Sequence, residues 1–230
     1  MKKIIAILII FLSCLSVRGV TNLNAWCRNG QIWLVWDESI PELFAYDVYV
    51  SKMPITNLTQ AELTGRIFPE DCKAQRLKEK FNSSATWTVP DENSNSYTLS
   101  STERLFVFTP QLETNYYFAV VDFNETNVTP ESTTGPIHSF LENVQCHVQA
   151  EGVLTSGYPF TIYAHFVDGR EDNNSGLSNY PVMANQYANG IGHLFAVYEP
   201  ISGLPVGTVP TIFALHGGTG NFFRGGSVNI

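Results

Sequence analysis

The chain has 230 residues, of which 44% are apolar and 15% charged, so it can form one or two packed domains and is not a disordered chain. Its 13 basic and 21 acidic residues give a formal net charge of -8. Nucleic acids and anionic membrane surfaces attract basic faces, so this charge argues against both as partners. The aromatic share of 13% favours strands over helices.

Residues 1–19 are predicted to be a secretory leader. Two lysines at the start precede an apolar run at residues 4–12, which is too short to span a bilayer. Cleavage is expected before Val20, with an earlier site near Cys14 as an alternative. Lipidation of Cys14 is a further alternative, although the three residues before it fit that signal poorly. We therefore expect a secreted, periplasmic or cell-surface protein from a bacterium, with no transmembrane segment.

Three cysteines follow the leader: Cys27, Cys72 and Cys146. An odd number permits at most one disulfide within the chain, and the spacing does not decide the pairing. Because no Cys-x-x-Cys occurs, a zinc site is not expected. The polar loop at residues 168–176 contains acidic residues but does not match a calcium-binding loop. We expect no metal ion and no cofactor.

Residues 20–140 are predicted to form one domain of short strands. Apolar or alternating runs between turn residues indicate strands at 32–36, 45–51, 104–108 and 116–122. Short strands without a long amphipathic helix are typical of a β-sandwich.

Several residues of this domain resemble those of fibronectin type III domains. Trp36 ends an early strand, and Tyr46-x-Val48-Tyr49 belongs to the next one. Residues 112–120, Leu-Glu-Thr-Asn-Tyr-Tyr-Phe-Ala-Val, are similar to the corner and strand that follow in that family. The resemblance implies that the Tyr116 ring packs in the core while its hydroxyl holds the preceding loop.

An insertion at about 54–95 interrupts this resemblance. Ala74, Leu77 and Phe81 have helical spacing, so a short helix is predicted there, and nearby basic residues form a patch that could bind an acidic polymer. A solvated insertion between strands is the favoured interpretation.

Aromatic side chains also raise the possibility of carbohydrate binding, because sugar rings stack on flat faces. Core positions are the default for Trp33 and Trp36. Trp26 and Trp87 remain candidate binding residues.

Residues 141–190 are predicted to be a β-rich connector, with a strand at 160–166, and 191–230 the start of a second domain. In that second part, a strand over 193–199 ends at Pro200, and an apolar run at 212–215 stops at His216. The apolar run has the length and composition of a buried strand.

Residues 210–220 read Pro-Thr-Ile-Phe-Ala-Leu-His-Gly-Gly-Thr-Gly, which resembles the strand and HGG turn of α/β-hydrolase esterases. With the preceding Tyr-x-Pro ending, the stretch is similar to feruloyl esterases and polyhydroxybutyrate depolymerases. The resemblance implies an oxyanion hole formed by the backbone N–H groups of Gly217, Gly218 and Thr219. It also implies that His216 braces the turn and is not the catalytic base.

The nucleophile that this resemblance requires is absent from the chain. No Gly-x-Ser-x-Gly occurs, and Ser227 lacks its spacing and following helix. In the family the serine, acid and histidine follow the HGG turn in that order, so we expect them beyond Ile230 and regard the chain as a C-terminally truncated fragment. The expected fold is mainly β: a fibronectin type III-like β-sandwich, a β-rich connector and the first strands of an incomplete α/β-hydrolase domain.

The expected function is that of the N-terminal portion of a secreted serine esterase, acting on polysaccharide-linked or polymer esters and inactive as this chain alone. The β-sandwich would be its accessory module. The alternative is a secreted carbohydrate- or protein-binding or adhesion protein without catalysis.

Overall fold

The computed structural model describes residues 19–37, 45–69, 72–74, 86–93, 95–123, 125–153, 157–166, 168–169 and 192–198. Within them the chain is mainly β, as the composition predicts, and every strand pairing is antiparallel. The strands are β1 (Thr21–Arg28), β2 (Gln31–Asp37), β3 (Tyr46–Ser51), β4 (Glu62–Ile67), β5 (Thr88–Pro90), β6 (Ser96–Thr98), β7 (Glu103–Phe108), β8 (Asn115–Asp122), β9 (Ile137–His138), β10 (His147–Val153), β11 (Pro159–Phe166) and β12 (Gly192–Tyr198). Short 3₁₀ helices lie at Leu58–Gln60 and Pro130–Ser132.

Two of the sheets pack face to face. The first has the strand order β1-β2-β7 and the second the order β4-β3-β8-β9. Their facing side chains include Trp36 and Tyr46, whose rings lie 5.2 Å apart, and Phe108 and Phe118, also 5.2 Å apart. Edge-to-face aromatic pairs of this kind contribute about 0.5–1.5 kcal/mol beyond the area they bury. These contacts make the space between the two sheets an aromatic core.

The chain forms a corner before β8 at the position that the sequence indicated. The Tyr116 side chain is buried, and its hydroxyl donates a hydrogen bond of 3.4 Å to the carbonyl of Leu112 in the preceding loop. Ser139 reinforces the corner, because its hydroxyl donates to the same carbonyl at 2.7 Å. The ring therefore fills the core while the hydroxyl restrains the loop, as predicted for Tyr116.

Strand β2 is buried on both of its faces. Every residue from Gln31 to Trp36 is buried. Side chains alternate between the faces of a strand, so Trp36 points to the second sheet while Trp33 points the opposite way. The continuous apolar run of β2 thus reflects a strand that lies between two layers.

The layer beyond Trp33 is a third sheet, with the order β10-β11-β12. Phe166 of β11 is fully buried, with its ring 5.0 Å from Trp33 and 5.2 Å from Trp87. The Gln31 amide donates a 2.9 Å hydrogen bond to the Phe166 carbonyl. Ala164 and Phe166 belong to the same buried cluster as the residues between the first two sheets. The described residues therefore share one core across three layers.

This packing crosses both predicted domain boundaries. Strand β12, assigned by sequence to a second domain, pairs with β11 of the predicted connector from Phe160↔Tyr198 to Phe166↔Gly192. The same sheet rests on the domain predicted for residues 20–140 through Phe166. The boundary proposed between residues 190 and 191 consequently falls within a continuous sheet.

The predicted insertion is largely part of the fold, which corrects the expectation of a solvated segment. Strand β4 pairs with β3 in the second sheet, where Arg66 makes two hydrogen bonds of 2.6 and 2.9 Å to Asp47. Farther on, β5 and β6 form a hairpin, and Trp87 and Val89 are buried. Of the predicted helix, Leu77 and Phe81 lie outside the described residues, whereas Ala74 is buried.

No disulfide joins the three cysteines outside the predicted leader, all of which the structure describes. Cys27 is half-buried, Cys72 is buried and Cys146 is exposed. Burial raises the pKa of the Cys27 thiol above its usual value.

Candidate functional site

The predicted oxyanion turn, Gly217, Gly218 and Thr219, lies outside the described residues, as does Ser227. The oxyanion hole therefore stays a prediction from sequence. The last strand that the structure describes before the HGG turn is β12, which is an edge strand of the third sheet among the described residues.

The start of β12 is held closely against the core. A Cβ atom on Gly192 would lie 2.6 Å from the Trp87 ring, which is closer than side-chain atoms approach each other. Only glycine fits this contact without moving the indole. This tight packing fixes the position of Gly192, where β12 begins, and β12 precedes the HGG turn in the sequence.

The outer face of the third sheet carries several exposed apolar side chains next to the exposed His165. Val148, Tyr163 and Phe195 lie side by side across the three strands, and the Tyr163 and Phe195 rings are stacked 5.5 Å apart. Phe195 is 40% exposed and Val197, on the same face, 42%. The opposite face of this sheet carries the buried Ala164 and Phe166.

Trp87, one of the two tryptophans considered for sugar stacking, has no free face. Its side chain is 1% exposed, and it packs between Phe166 and Gly192. A sugar ring cannot stack on an indole that is covered on both sides, so the structure gives Trp87 a core position. Its alternation with Val89 in the hairpin explains this, because both side chains enter the core.

Trp26 is also largely covered, but it contributes to a surface groove. The indole is 6% exposed, and its Nε1 donates a 2.7 Å hydrogen bond to the carbonyl of Pro90. The Tyr97 ring meets it edge-on, with 6.2 Å between centroids and 84° between planes. Trp26 is thus a supporting residue of the groove, and Tyr97 provides the exposed aromatic surface.

The groove lies between the first sheet and the β5-β6 hairpin and has a volume of about 310 Å³. Asn24, Trp26 and Val35 line it from β1 and β2. The turn of the hairpin, the Tyr97 side chain, Asn22 of β1 and Glu103 of β7 line the rest. We call this site the Tyr97 groove.

The hairpin turn at the groove is held by its own side chains. Asp91 accepts hydrogen bonds from the backbone N–H groups of Asn93 at 2.7 Å and Asn95 at 2.8 Å. Desolvation would raise the pKa of Asp91, but the hydrogen bonds from Asn95 and Asn93 outweigh it and lower the pKa. Asp91 is therefore an ionised carboxylate whose main contacts stabilise the turn.

Glu103 fixes the Tyr97 side chain. The Tyr97 hydroxyl donates to the Glu103 carboxylate, which also accepts a 2.6 Å hydrogen bond from the backbone N–H of Ser100. Desolvation and this carboxylate raise the pKa of Tyr97 to about 12, so the hydroxyl stays protonated at neutral pH. The ring, 37% exposed, is held in one orientation from its hydroxyl end.

The residues of the groove can bind a ligand by aromatic packing and hydrogen bonding. Its lining contains no histidine, cysteine or serine among the described residues. No group of three potential metal ligands occurs in the part of the chain that the structure describes. Asp168, which the sequence placed in a possible calcium loop, instead accepts a 2.7 Å hydrogen bond from the backbone N–H of Thr109. An aromatic face with amide and carboxylate groups around it can bind a ligand rich in hydroxyl groups.

Sequence reasoning identified Trp26 but missed Tyr97. The exposed tyrosine lies on a strand of three residues, Ser96–Thr98, which gives almost no periodic pattern. The available signal was the polar run after Pro90, which marks a turn and hence a hairpin that would present nearby side chains.

No protein-family model, curated protein or solved structure matches the chain. Within the described ranges, no helix has the length and apolar character needed to cross a membrane.

Proposed function

We propose that the chain is the N-terminal portion of a secreted serine ester hydrolase that acts on polysaccharide-linked or polymer esters. The observation that carries the proposal is the HGG segment at residues 210–220, which follows β12 in the sequence. Its two glycines and Thr219 would donate backbone N–H groups to the oxyanion of an ester undergoing acyl transfer.

The topology of the first two sheets supports the fibronectin type III-like part of the proposal. Their strand orders, β1-β2-β7 and β4-β3-β8-β9, give a seven-stranded antiparallel arrangement. The hydrogen bond from Tyr116 to Leu112 has the form of a tyrosine corner, in which a core tyrosine near the start of a strand bonds back to the upstream backbone. We assign this part the role of an accessory module.

The third sheet is compatible with the hydrolase part. It is antiparallel, and an antiparallel sheet can keep one face in water, so it leaves room for a further layer without requiring one. One face packs on the core through Phe166, whereas the other carries the exposed Val148, Phe195 and Val197. A catalytic unit that continues from β12 would cover this face.

In this proposal the chain binds and orients the ester, and a serine on a Gly-x-Ser-x-Gly elbow encoded downstream attacks its carbonyl carbon. A histidine would take the serine proton, and an acidic residue would orient that histidine. The oxyanion would form beside Gly217 and Gly218. None of the five histidines of the chain is assigned the role of base.

The test compares this chain with the product of the complete reading frame of its gene. We expect a Gly-x-Ser-x-Gly downstream of Ile230 and hydrolysis of p-nitrophenyl acetate and feruloylated xylan by the complete product. Gly218→Pro removes one oxyanion donor and should lower kcat by about 100- to 1000-fold. Gly203→Pro, in the segment that the sequence predicts to be a loop before the turn, is the matched control and should leave most activity.

Two results would contradict the proposal. A reading frame without the serine elbow, or a complete product that hydrolyses no ester, would favour the binding or adhesion alternative. The 230-residue chain should release no p-nitrophenol above the buffer rate, and turnover abolished by Ser227→Ala would show that the nucleophile was misidentified.

A further inference from the structure

We propose that the Tyr97 groove binds a short segment of a neutral glycan. This inference does not depend on ester hydrolysis, because the groove is built wholly from described residues of the first sheet and the β5-β6 hairpin. Its volume of about 310 Å³ is at the lower end of the range for small-molecule sites, which suits one or two sugar residues.

Tyr97 provides the aromatic surface for a sugar ring. Its hydroxyl is held by Glu103 and its ring forms a T-shaped pair with Trp26, which is itself anchored on Pro90. The tyrosine is therefore oriented before a ligand arrives, so little side-chain entropy is lost on binding. The apolar C–H face of a pyranose can pack on the exposed part of this ring.

Three polar side chains of the lining are available for hydroxyl groups. Asn24, Glu92 and Asn93 are exposed, and their side chains make no hydrogen bond to the described residues. An amide both donates and accepts, and a carboxylate accepts, so together they can satisfy sugar hydroxyls, which do both.

The charges around the groove determine which glycan fits. Asp91, Glu92 and Glu103 line it, and no basic side chain of the described residues does. Uronic acids would place a carboxylate beside these three and be repelled. The groove therefore selects a neutral chain over an acidic one.

A cationic ligand fits less well than a neutral one. Glu103 already accepts hydrogen bonds from Tyr97 and Ser100, and Asp91 already binds the hairpin turn. Trp26 is only 6% exposed, so it offers no second open face and the aromatic groups do not form a cage around a cation. Hydroxyl groups match the remaining free polar atoms.

The experiment measures retardation of the purified chain in native gels that contain arabinoxylan, hydroxyethyl cellulose, polygalacturonate or chitosan. At least one neutral polymer should retard it more than polygalacturonate does. Tyr97→Ala should weaken this binding about five- to tenfold, since it removes the stacking surface. Tyr97→Phe should keep most of the binding, because it keeps the ring.

Tyr158→Ala is the matched control, since Tyr158 is 44% exposed and lies outside the groove. It should bind like the unchanged chain, and circular dichroism should show that each variant is folded. Asn24→Ala with Asn93→Ala should weaken binding without changing the fold.

The proposal fails if no neutral polymer retards the chain or if Tyr97→Ala binds as well as the control. It also fails if polygalacturonate binds as strongly as the neutral polymers. Retardation by chitosan alone would overturn it in favour of a cationic ligand.

Discussion

Phe166 links the third sheet to the rest of the fold, and its replacement by alanine should destabilise the whole described structure. The ring is fully buried and lies 5.0 Å from Trp33 and 5.2 Å from Trp87. Replacement of a buried phenylalanine by alanine costs about 3–5 kcal/mol, from lost transfer free energy and the cavity that remains. We expect Phe166→Ala to lower the free energy of unfolding by that amount.

The assay is urea unfolding followed by tryptophan fluorescence. All four tryptophans of the chain are buried in the described core, and two of them contact Phe166. If the three layers unfold together, the variant should show a single transition at a lower urea midpoint, with the slope of the unchanged chain.

Phe195→Ala is the control, since Phe195 belongs to the same sheet but lies on its outer face and is 40% exposed. It should cost about 1–2 kcal/mol, clearly less than Phe166→Ala, because part of the ring is already in water although it stacks on Tyr163. Equal effects of the two variants, or a fluorescence transition that Phe166→Ala leaves unmoved, would show that the third sheet folds separately and refute the shared core.

Three further predictions concern single residues. Gly30→Ala should destabilise the fold by about 1–3 kcal/mol in urea unfolding, because this glycine has a φ of +75° and a Cβ atom would overlap a backbone carbonyl. Gly135→Ala is the control and should cost less than about 0.5 kcal/mol, because a Cβ atom there enters open space. Tyr116→Phe should cost about 1 kcal/mol by losing the hydrogen bond to the corner, and Tyr117→Phe next to it should be nearly neutral by the same measurement. Burial, with a smaller effect of His165, lowers the pKa of His147 to about 4. Between about pH 6.5 and 4 the His147 imidazole is therefore protonated in the unfolded chain but not in the folded one. Stability should fall as pH decreases through that window, and thermal unfolding of His147→Gln should show a weaker dependence there; an identical pH profile would contradict the assignment.

The strands with strong patterns could be predicted closely from the sequence. The run at 32–36 became β2, and the segments at 104–108, 116–122 and 160–166 became β7, β8 and β11 with ends shifted by one residue at most. These segments are apolar enough that local pattern and burial favour the same conformation. The predicted role of Tyr116 also has its hydrogen bond in the structure.

The layers could not be predicted in the same way. The apolar run of β2 predicts that both of its faces are buried, but the run itself does not show which strand covers Trp33. That strand is β11, which lies more than a hundred residues later in the sequence. The alternation of β11 predicts that one of its faces is buried, but it does not show that Phe166 packs on Trp33. Pairings of this separation depend on the whole fold, which explains why the predicted boundary between residues 190 and 191 falls inside a shared sheet and why the packing of Phe166 crosses the one after residue 140.

The groove was hidden for a related reason. Its aromatic residue, Tyr97, becomes prominent only because the hairpin folds back onto β1, where Trp26 lies 71 positions earlier in the sequence. Tryptophan seemed the better candidate because of its larger flat face, yet that same size favours its burial. The two aromatic residues thus differ in role: Trp26 is buried beneath the groove and supports it, whereas Tyr97 exposes part of its ring in the groove.

The β5-β6 hairpin connects the two proposed functions. On one side it lines the Tyr97 groove, and on the other Thr88 exchanges two hydrogen bonds with Gln149 of β10, at 3.0 and 2.7 Å. Trp87, next to Thr88, packs against the start of β12. A glycan held in the groove would therefore sit at a fixed position relative to the strand that leads to the proposed oxyanion turn, since Thr88 and Trp87 contact the third sheet directly. An accessory module built in this way would present the polymer to a catalytic unit in a defined orientation, which a module on a free tether could not do.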